Sequence, residues 1–311
     1  MEKLQVLRVS KIENFSLALN KSVHFLRHKG KGVEKPTLYK VEKSSRFEIE
    51  FSFDTPNPKS GLESLIHRQN NLLEAQEKNG WKVKSNRFAV DNRLIAGLGG
   101  ASVFETSMTL HHIYGIPYLP GSSIKGLVRS WIIINCFLEG QNGNNKGKEA
   151  EKNAMKNPLF AHIFGTDTDG LENKAHRGKV IFFDAYPQSP PVIEADVMNV
   201  HYPKYYSQGK APADYDSPNP IPFLTVGKCD AKEHPLQFSF ALATRENPVV
   251  TDKLFDAGME IICKKEGIWR EGLSAESSVL DVAHFWLRSA LTSHGIGAKT
   301  AVGYGYFNAT E

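Results

Sequence analysis

The sequence predicts an α+β protein built on a ferredoxin-like (RRM-like) sheet. Three observations carry this. Leu236, Phe238, Phe240 and Leu242 alternate with Gln237, Ser239, Ala241 and Ala243, the period of a strand with one face on a core. Val279, Val282, Ala283, Trp286 and Ala290 mark the buried face of a helix ending near His294, before a glycine-rich turn and a closing strand, VGYGYF. With the segments ahead of them, the central order becomes strand, helix, strand, strand, helix, strand, the split βαβ arrangement with insertions hung on it.

The elements follow in chain order. Residues 1–46 hold eleven Lys or Arg against four Glu, a basic arm that reads either as a solvated segment or, with Phe15, Phe25 and Tyr39 interleaved, as one that lies along RNA. Phe47 to Phe53 alternates as a strand, and TPNPKSG after it is turn chemistry. Leu62, Leu65, Ile66, Leu72 and Leu73 then set an amphipathic helix that stops at Gly80. Residues 88–110 are strand-like and punctuated by glycine. They lead through HHIYGIPYLPG into a helix that Ser122 or Ser123 can cap, with Leu127, Trp131 and Ile134 as its buried stripe. Residues 140–153, GQNGNNKGKEAEKN, read as a surface loop. A short helix spans Leu159 to Phe164, and VIFFDAY (Val180 to Tyr186) reads as a buried strand. The Tyr-, Pro- and Asp-rich stretch 201–222 is too long for an ordinary connection, and a helical segment is expected around 249–265. The expected division is an N-terminal extension, 1–87, and a domain over 88–311 with insertions at 140–153 and 201–222.

Composition bounds the function. The 311 residues carry a net charge of +4, which excludes a histone-like or polybasic protein, and outside the arm the charge sums to −3. Cys136, Cys229 and Cys263 are scattered and odd in number, which argues against a disulfide framework or a zinc site and suits a reducing, cytoplasmic setting. No signal-peptide core or bilayer-length apolar run is visible, so no membrane role is expected.

Two segments could carry chemistry. In GIGAKTAVGYGYF, Gly295, Gly297, Gly303 and Gly305 permit positive φ and close backbone approach, and Lys299 with Thr300 adds a cation and a hydroxyl. Phosphate is the natural ligand. A Walker loop fails because Ala298 and Ser293 stand where glycines are required, and a dinucleotide GxGxxG fails at Thr300. The second is LPGSSIKGLVRSW, where a helix start at Gly121, Ser122 and Ser123 offers backbone N–H groups and hydroxyls, with Lys125 and Arg129 four apart on one face.

These segments resemble the RAMP superfamily of CRISPR proteins. The blocks Glu105–Arg129, Leu159–Thr166, Val180–Pro187, Asp196–Tyr206 and Gly295–Gly305, in this order and spacing, are similar to the sixth Cmr subunits of type III-B effectors. The resemblance implies a RAMP fold with a C-terminal glycine-rich loop, and a non-catalytic subunit that caps the 3′ side of the crRNA. Its expected partners are crRNA, target RNA and the other Cmr effector subunits, with no cofactor and no metal. Carried onto this chain, RNA contact falls to Gly121, Ser122, Ser123, Lys125, Arg129, Gly295, Gly297, Lys299, Thr300 and Gly303. Tyr205, Tyr206, Tyr304 and Tyr306 are available for base stacking; because Val302, Tyr304 and Tyr306 share one face of the expected last strand, core packing is an equal reading for the latter two.

The alternative is a metal-independent RAMP endoribonuclease, with His201 in NVHYPKYY as the proton-transfer residue. His111 and His112 are adjacent, and on an extended chain only one can face a site. Asp184 reads as a structural hydrogen-bonding group that could orient Arg93 or Lys125.

Overall fold

The computed structural model describes residues 59–100, 106–138, 146–168, 170, 173–200, 202–212, 219–227, 235–250, 273 and 277–309. The predicted arm, the strand at 47–53, His201 and nearly all of the helix at 249–265 lie outside these residues. The chain is a mixed α+β structure around an antiparallel sheet.

Helix α1 (Lys59–Lys78) forms where the apolar spacing places it. Leu62, Leu65, Gln69 and Leu73 recur every three or four residues and are buried, and Gly80 at φ +82° turns the chain out of it. Strand β1 (Lys82–Val90) follows and becomes a central strand of the sheet. It pairs with β8 (Gln237–Thr244) from Lys82↔Thr244 to Ala89↔Gln237, and with β9 (Phe307–Ala309) at Phe88↔Ala309 and Val90↔Phe307. The expected boundary between 87 and 88 therefore falls inside a sheet strand. Beyond β8 lie two short strands, β4 (Ile181–Phe182) and β5 (Tyr186–Pro187), and the order is β4-β8-β1-β9 with β5 also on β8.

The VIFFDAY segment is thus a broken strand. At Phe183–Ala185 the chain leaves regular pairing: Ala185 exchanges hydrogen bonds with Leu119, and the Asp184 carboxylate turns to meet the next helix. That helix, α2 (Gly121–Ile132), continues as a π-helical turn through Ile133–Phe137. Leu127 and Trp131 are buried in it as expected, whereas Ile134 is 43% exposed because the wider turn rotates it off the stripe. Residues expected to be loop at 146–153 instead open α3 (Lys146–Lys156). Two alanines and one methionine suffice: Ala150, Ala154 and Met155 are buried along one face while the charges point outward. Helix α4 (Pro158–Phe164) has proline in its first turn, is capped by Asn157 and ends at Gly165, as predicted.

The stretch at 201–222 is not irregular throughout. Strands β6 (Ile193–Val200) and β7 (Asn219–Val226) form an antiparallel ribbon, with α5 (Pro203–Gln208) in the connection. Pro220 and Pro222 sit two apart, so both missing N–H donors lie along the same edge of β7, where a strand tolerates them. A minor pair, β2 (Gly165–Thr166) and β3 (His176–Arg177), completes the strands.

Helix α6 (Val279–Ser293) starts on a reciprocal capping box between Ser278 and Asp281 and buries the predicted face, Val279, Val282, Ala283, Trp286 and Ala290. The closing strand is shorter than predicted. Thr300–Val302 is a 3-10 turn and only Phe307–Ala309 pairs, so Val302, Tyr304 and Tyr306 do not share a strand face. The core lies between the sheet and α2, α4 and α6. Phe164 stacks on Trp286 at 6.2 Å, and Phe88, Phe240 and Phe307 meet edge to face. A smaller cluster of Leu62, Leu65, Ile116 and Tyr186 fixes α1 to this body.

Candidate nucleic-acid interface

The glycine-rich loop is laid directly on the Arg93–Ile95 segment. Gly305 N–H donates to Arg93 O at 2.8 Å, Ala298 N–H to Ile95 O at 2.8 Å, and Ile296 N–H to Gly305 O at 2.8 Å. A Cβ on Gly297 would strike the Ile95 carbonyl, and one on Gly305 the Ile296 carbonyl. These two glycines serve backbone packing. Gly303 differs: its φ is +94°, but nothing lies within 4 Å of its absent Cβ. The outward tip is therefore Ala301 to Gly303, and Val302 is 68% exposed.

Beside the tip stands a charged cluster. Arg93 Nη1 is 2.9 Å from Asp196 Oδ2, and the Tyr304 hydroxyl donates to the same oxygen at 2.5 Å. Arg93 also lies 5.7 Å from the Tyr304 ring centre. Asp196, rather than Asp184, therefore pairs with Arg93, while Asp184 is the structural hydrogen-bonding group the sequence suggested. Lys299, in the left-handed conformation at φ +60°, places Nζ 5.4 Å from the centre of the Phe223 ring on β7. Tyr304 is occupied with Asp196 and packs edge-on against Phe223 at 6.0 Å. Of the four tyrosines, Tyr205 and Tyr206 on α5 are the open ones, 49% and 75% exposed.

The start of α2 is built differently from the expectation. Its N-cap is Pro120, and neither Ser122 nor Ser123 caps it. Instead, the Gly121 N–H donates to Asp184 Oδ1 at 2.7 Å, so the protein's own carboxylate fills the position that a helix N-terminus offers to an anion. Gly121 is buried, and a Cβ there would strike the Phe182 carbonyl. Ser122 and Ser123 remain exposed. Further along, Lys125 is half-buried; its pKa is lowered by burial first, then by Arg129 and Arg177. Arg129 is bound to Glu151 at 2.7 Å and lies 5.5 Å over the Phe160 ring. Arg177, on β3, is signalled in the sequence only by the basic run His176–Lys179.

The two predicted segments do not form one pocket. It is the far end of α2 that nears the loop: the Trp131 indole donates to Ser293 Oγ, two residues ahead of Gly295, at 2.9 Å. Gly121 stands about 15 Å away along the helix axis. The arrangement offers two separate cationic stations, Lys125 with Arg177 and Lys299 with the loop tip.

His112 falls in a turn, with the Gly115 N–H donating to His111 O at 2.8 Å, rather than on an extended chain. His112 is exposed, while His111 enters a cleft with Tyr114 and Tyr186. Among the described residues, no three His, Cys, Asp or Glu side chains group to hold a metal, and no helix is long and apolar enough to cross a membrane.

The CRISPR system Cmr subunit Cmr6 of Pyrococcus furiosus is 29% identical over 263 residues, a match spanning 71% of this chain and 66%, just under two thirds, of that one. The Cmr6 subunit of Saccharolobus solfataricus is 25% identical over 259 residues, spanning 81% and 73%. A chain in a cryo-EM structure of the type III-B Cmr-beta complex bound to cognate target RNA aligns at a TM-score of 0.48 with 22% identity, over 80% of this chain and 66% of that one. The crystal structure of Cmr6 from Pyrococcus furiosus aligns at 0.41 with 28% identity, over 75% and 99%. The model of the RAMP superfamily matches residues 87–308, from β1 into β9. With most of its length, most of the central sheet and the whole glycine-rich loop inside that match, this chain belongs to the RAMP superfamily.

Proposed function

We propose that the chain is a non-catalytic, RNA-binding subunit of a type III-B Cmr effector, a cytoplasmic ribonucleoprotein in which it holds the 3′ side of the crRNA against neighbouring subunits. The observation that carries this reading is the sequence match to two Cmr6 proteins across most of the chain. Within it, the sheet order β4-β8-β1-β9, all antiparallel, supports a ferredoxin-like core. The cations Lys299, Lys125 and Arg177, with the exposed rings of Tyr205 and Tyr206, supply what single-stranded RNA binding needs: charge for phosphates and flat faces for bases.

The test is RNA binding across a salt series. Lys299→Ala and Lys125→Ala each weaken affinity regardless of sequence and lower the salt slope by about 0.7. Unchanged slopes in both would remove these residues from the RNA path. Incubation with labelled repeat RNA without metal leaves the RNA intact; cleavage that vanishes in His201→Ala would overturn the non-catalytic assignment.

A further inference from the structure

A cleft of about 320 Å³ opens between α1, the His111–Tyr114 turn and the break between β4 and β5. It shares no lining residue with the glycine-rich loop or the segment beneath that loop. Part of its wall is aromatic, formed by His111, Tyr114, Phe183 and Tyr186, with Tyr118 packed behind them. The His111 ring lies 4.9 Å from Tyr114, 5.7 Å from Tyr118 and 6.0 Å from Tyr186, and Tyr118 stacks on Tyr186 at 5.8 Å.

The polar groups are few and held in place. Asp184 Oδ1 accepts the Gly121 N–H and Oδ2 accepts the Tyr186 hydroxyl at 3.3 Å. A carboxylate has about four lone-pair directions, so acceptor capacity remains. The N–H groups of Ile113 and Tyr114 both point to His111 Nδ1, at 3.2 and 3.3 Å. That nitrogen is therefore the acceptor and the ring proton sits on Nε2. Burial lowers the His111 pKa and raises that of Tyr186, so imidazole and phenol are both neutral at pH 7. At the mouth, the exposed Arg68 donates to the Tyr114 hydroxyl at 3.2 Å, and Leu72 and Ile113 stand 45% and 64% exposed.

We infer that this cleft receives one unpaired nucleobase of an RNA strand, its ring against the His111 and Tyr114 wall, its N–H edge toward Asp184 and its phosphate toward Arg68. The volume is at the lower end for ligand sites and suits a single nucleoside rather than a folded segment. A neutral aromatic wall matches a base, the acceptor inside turns a phosphate away, and the guanidinium outside receives it. The inference rests on the RNA-binding reading above.

The experiment uses the full chain with an eight-nucleotide RNA carrying 4-thiouridine, for affinity across salt and for crosslink mapping. Tyr114→Leu weakens binding about 5- to 100-fold with an unchanged salt slope, and Tyr114→Phe restores it. Arg68→Gln, a surface change that leaves folding intact, weakens binding and lowers the slope by about 0.7. Crosslinks map to residues 111–114. Full affinity in both Tyr114→Leu and Arg68→Gln overturns the inference. So does loss of a Cmr partner with RNA affinity intact, or saturation by free UMP, AMP, CMP or GMP without any effect on RNA. No RNA binding by the unmodified chain sinks the reading above as well; binding weakened by Lys299→Ala but not by the cleft variants sinks this inference alone.

Discussion

Two glycines of the same loop, both at positive φ, are expected to respond very differently to alanine. Gly297 has φ +99° and Gly303 φ +94°, so each substitution forces a side chain into a backbone region that costs about 1–2 kcal/mol. At Gly303 that is the whole cost, since the added methyl meets open space. At Gly297 the methyl lands on the Ile95 carbonyl and lies 3.1 Å from its carbon. The loop must lift from Arg93–Ile95, and the bond from Ala298 N–H to Ile95 O, 2.8 Å long, is lost. Losing a hydrogen bond adds about 1 kcal/mol, which brings Gly297→Ala to about 2–3 kcal/mol against about 1–2 for Gly303→Ala. Urea unfolding with an unchanged m-value reads the difference directly. Equal losses at the two positions would show that the loop does not rest on the Arg93–Ile95 backbone, and the account of its glycines would fall.

Three further outcomes follow from the charges. Burial, with Lys84 adding to it, depresses His284 to about 4 from an ordinary 6.5. The folded form therefore takes up a proton less readily than the unfolded one, and stability that is complete above pH 6.5 falls by about 3 kcal/mol as pH drops to 4; His284→Leu should flatten this part of a pH-stability profile. Asp281 is pushed up by burial but held at about 2 by hydrogen bonds from Lys84 and Ser278. Its contribution is present above about pH 4 and lost toward pH 2, and because the pair is more than a third exposed it amounts to about 1 kcal/mol; Asp281→Asn tests this by acid unfolding. Asp196→Ala leaves the largely buried Arg93 guanidinium uncompensated, at a cost of about 3 kcal/mol in urea, with faster hydrogen exchange at Gly305 N–H.

Much of the core could be read directly from residue spacing. The stripe in α6, the alternation in β8 and the leucines of α1 are each a strong one-sided pattern, and each became the element expected. Where reading failed, the deciding contact was distant in sequence. Asp184 breaks VIFFDAY because Gly121, sixty-three positions earlier, needs an acceptor, and the same bond displaces Ser122 and Ser123 from capping. Helix α3 was hidden because its three buried residues are small or flexible and scattered among charges. The loop glycines were found by type, but sequence could not sort those that pack, Gly297 and Gly305, from the one that is open, Gly303. The aromatic cleft was half visible, as one inward histidine of a pair, and its other walls come from segments on either side of it in the chain.

The ribbon of β6 and β7 is tied down at its root. Leu94 pairs with Val226, the Thr106 hydroxyl donates to Pro222 O, and Asp196 binds both Arg93 and Tyr304. Its far end, about 23 Å along the strands from the Ile193–Val226 pair, leads into α5 with its two open tyrosines. The ribbon and the glycine-rich loop thus share one anchor: the Asp196 carboxylate of β6 holds Arg93, whose carbonyl accepts the Gly305 N–H, and also holds Tyr304 from the loop's own end.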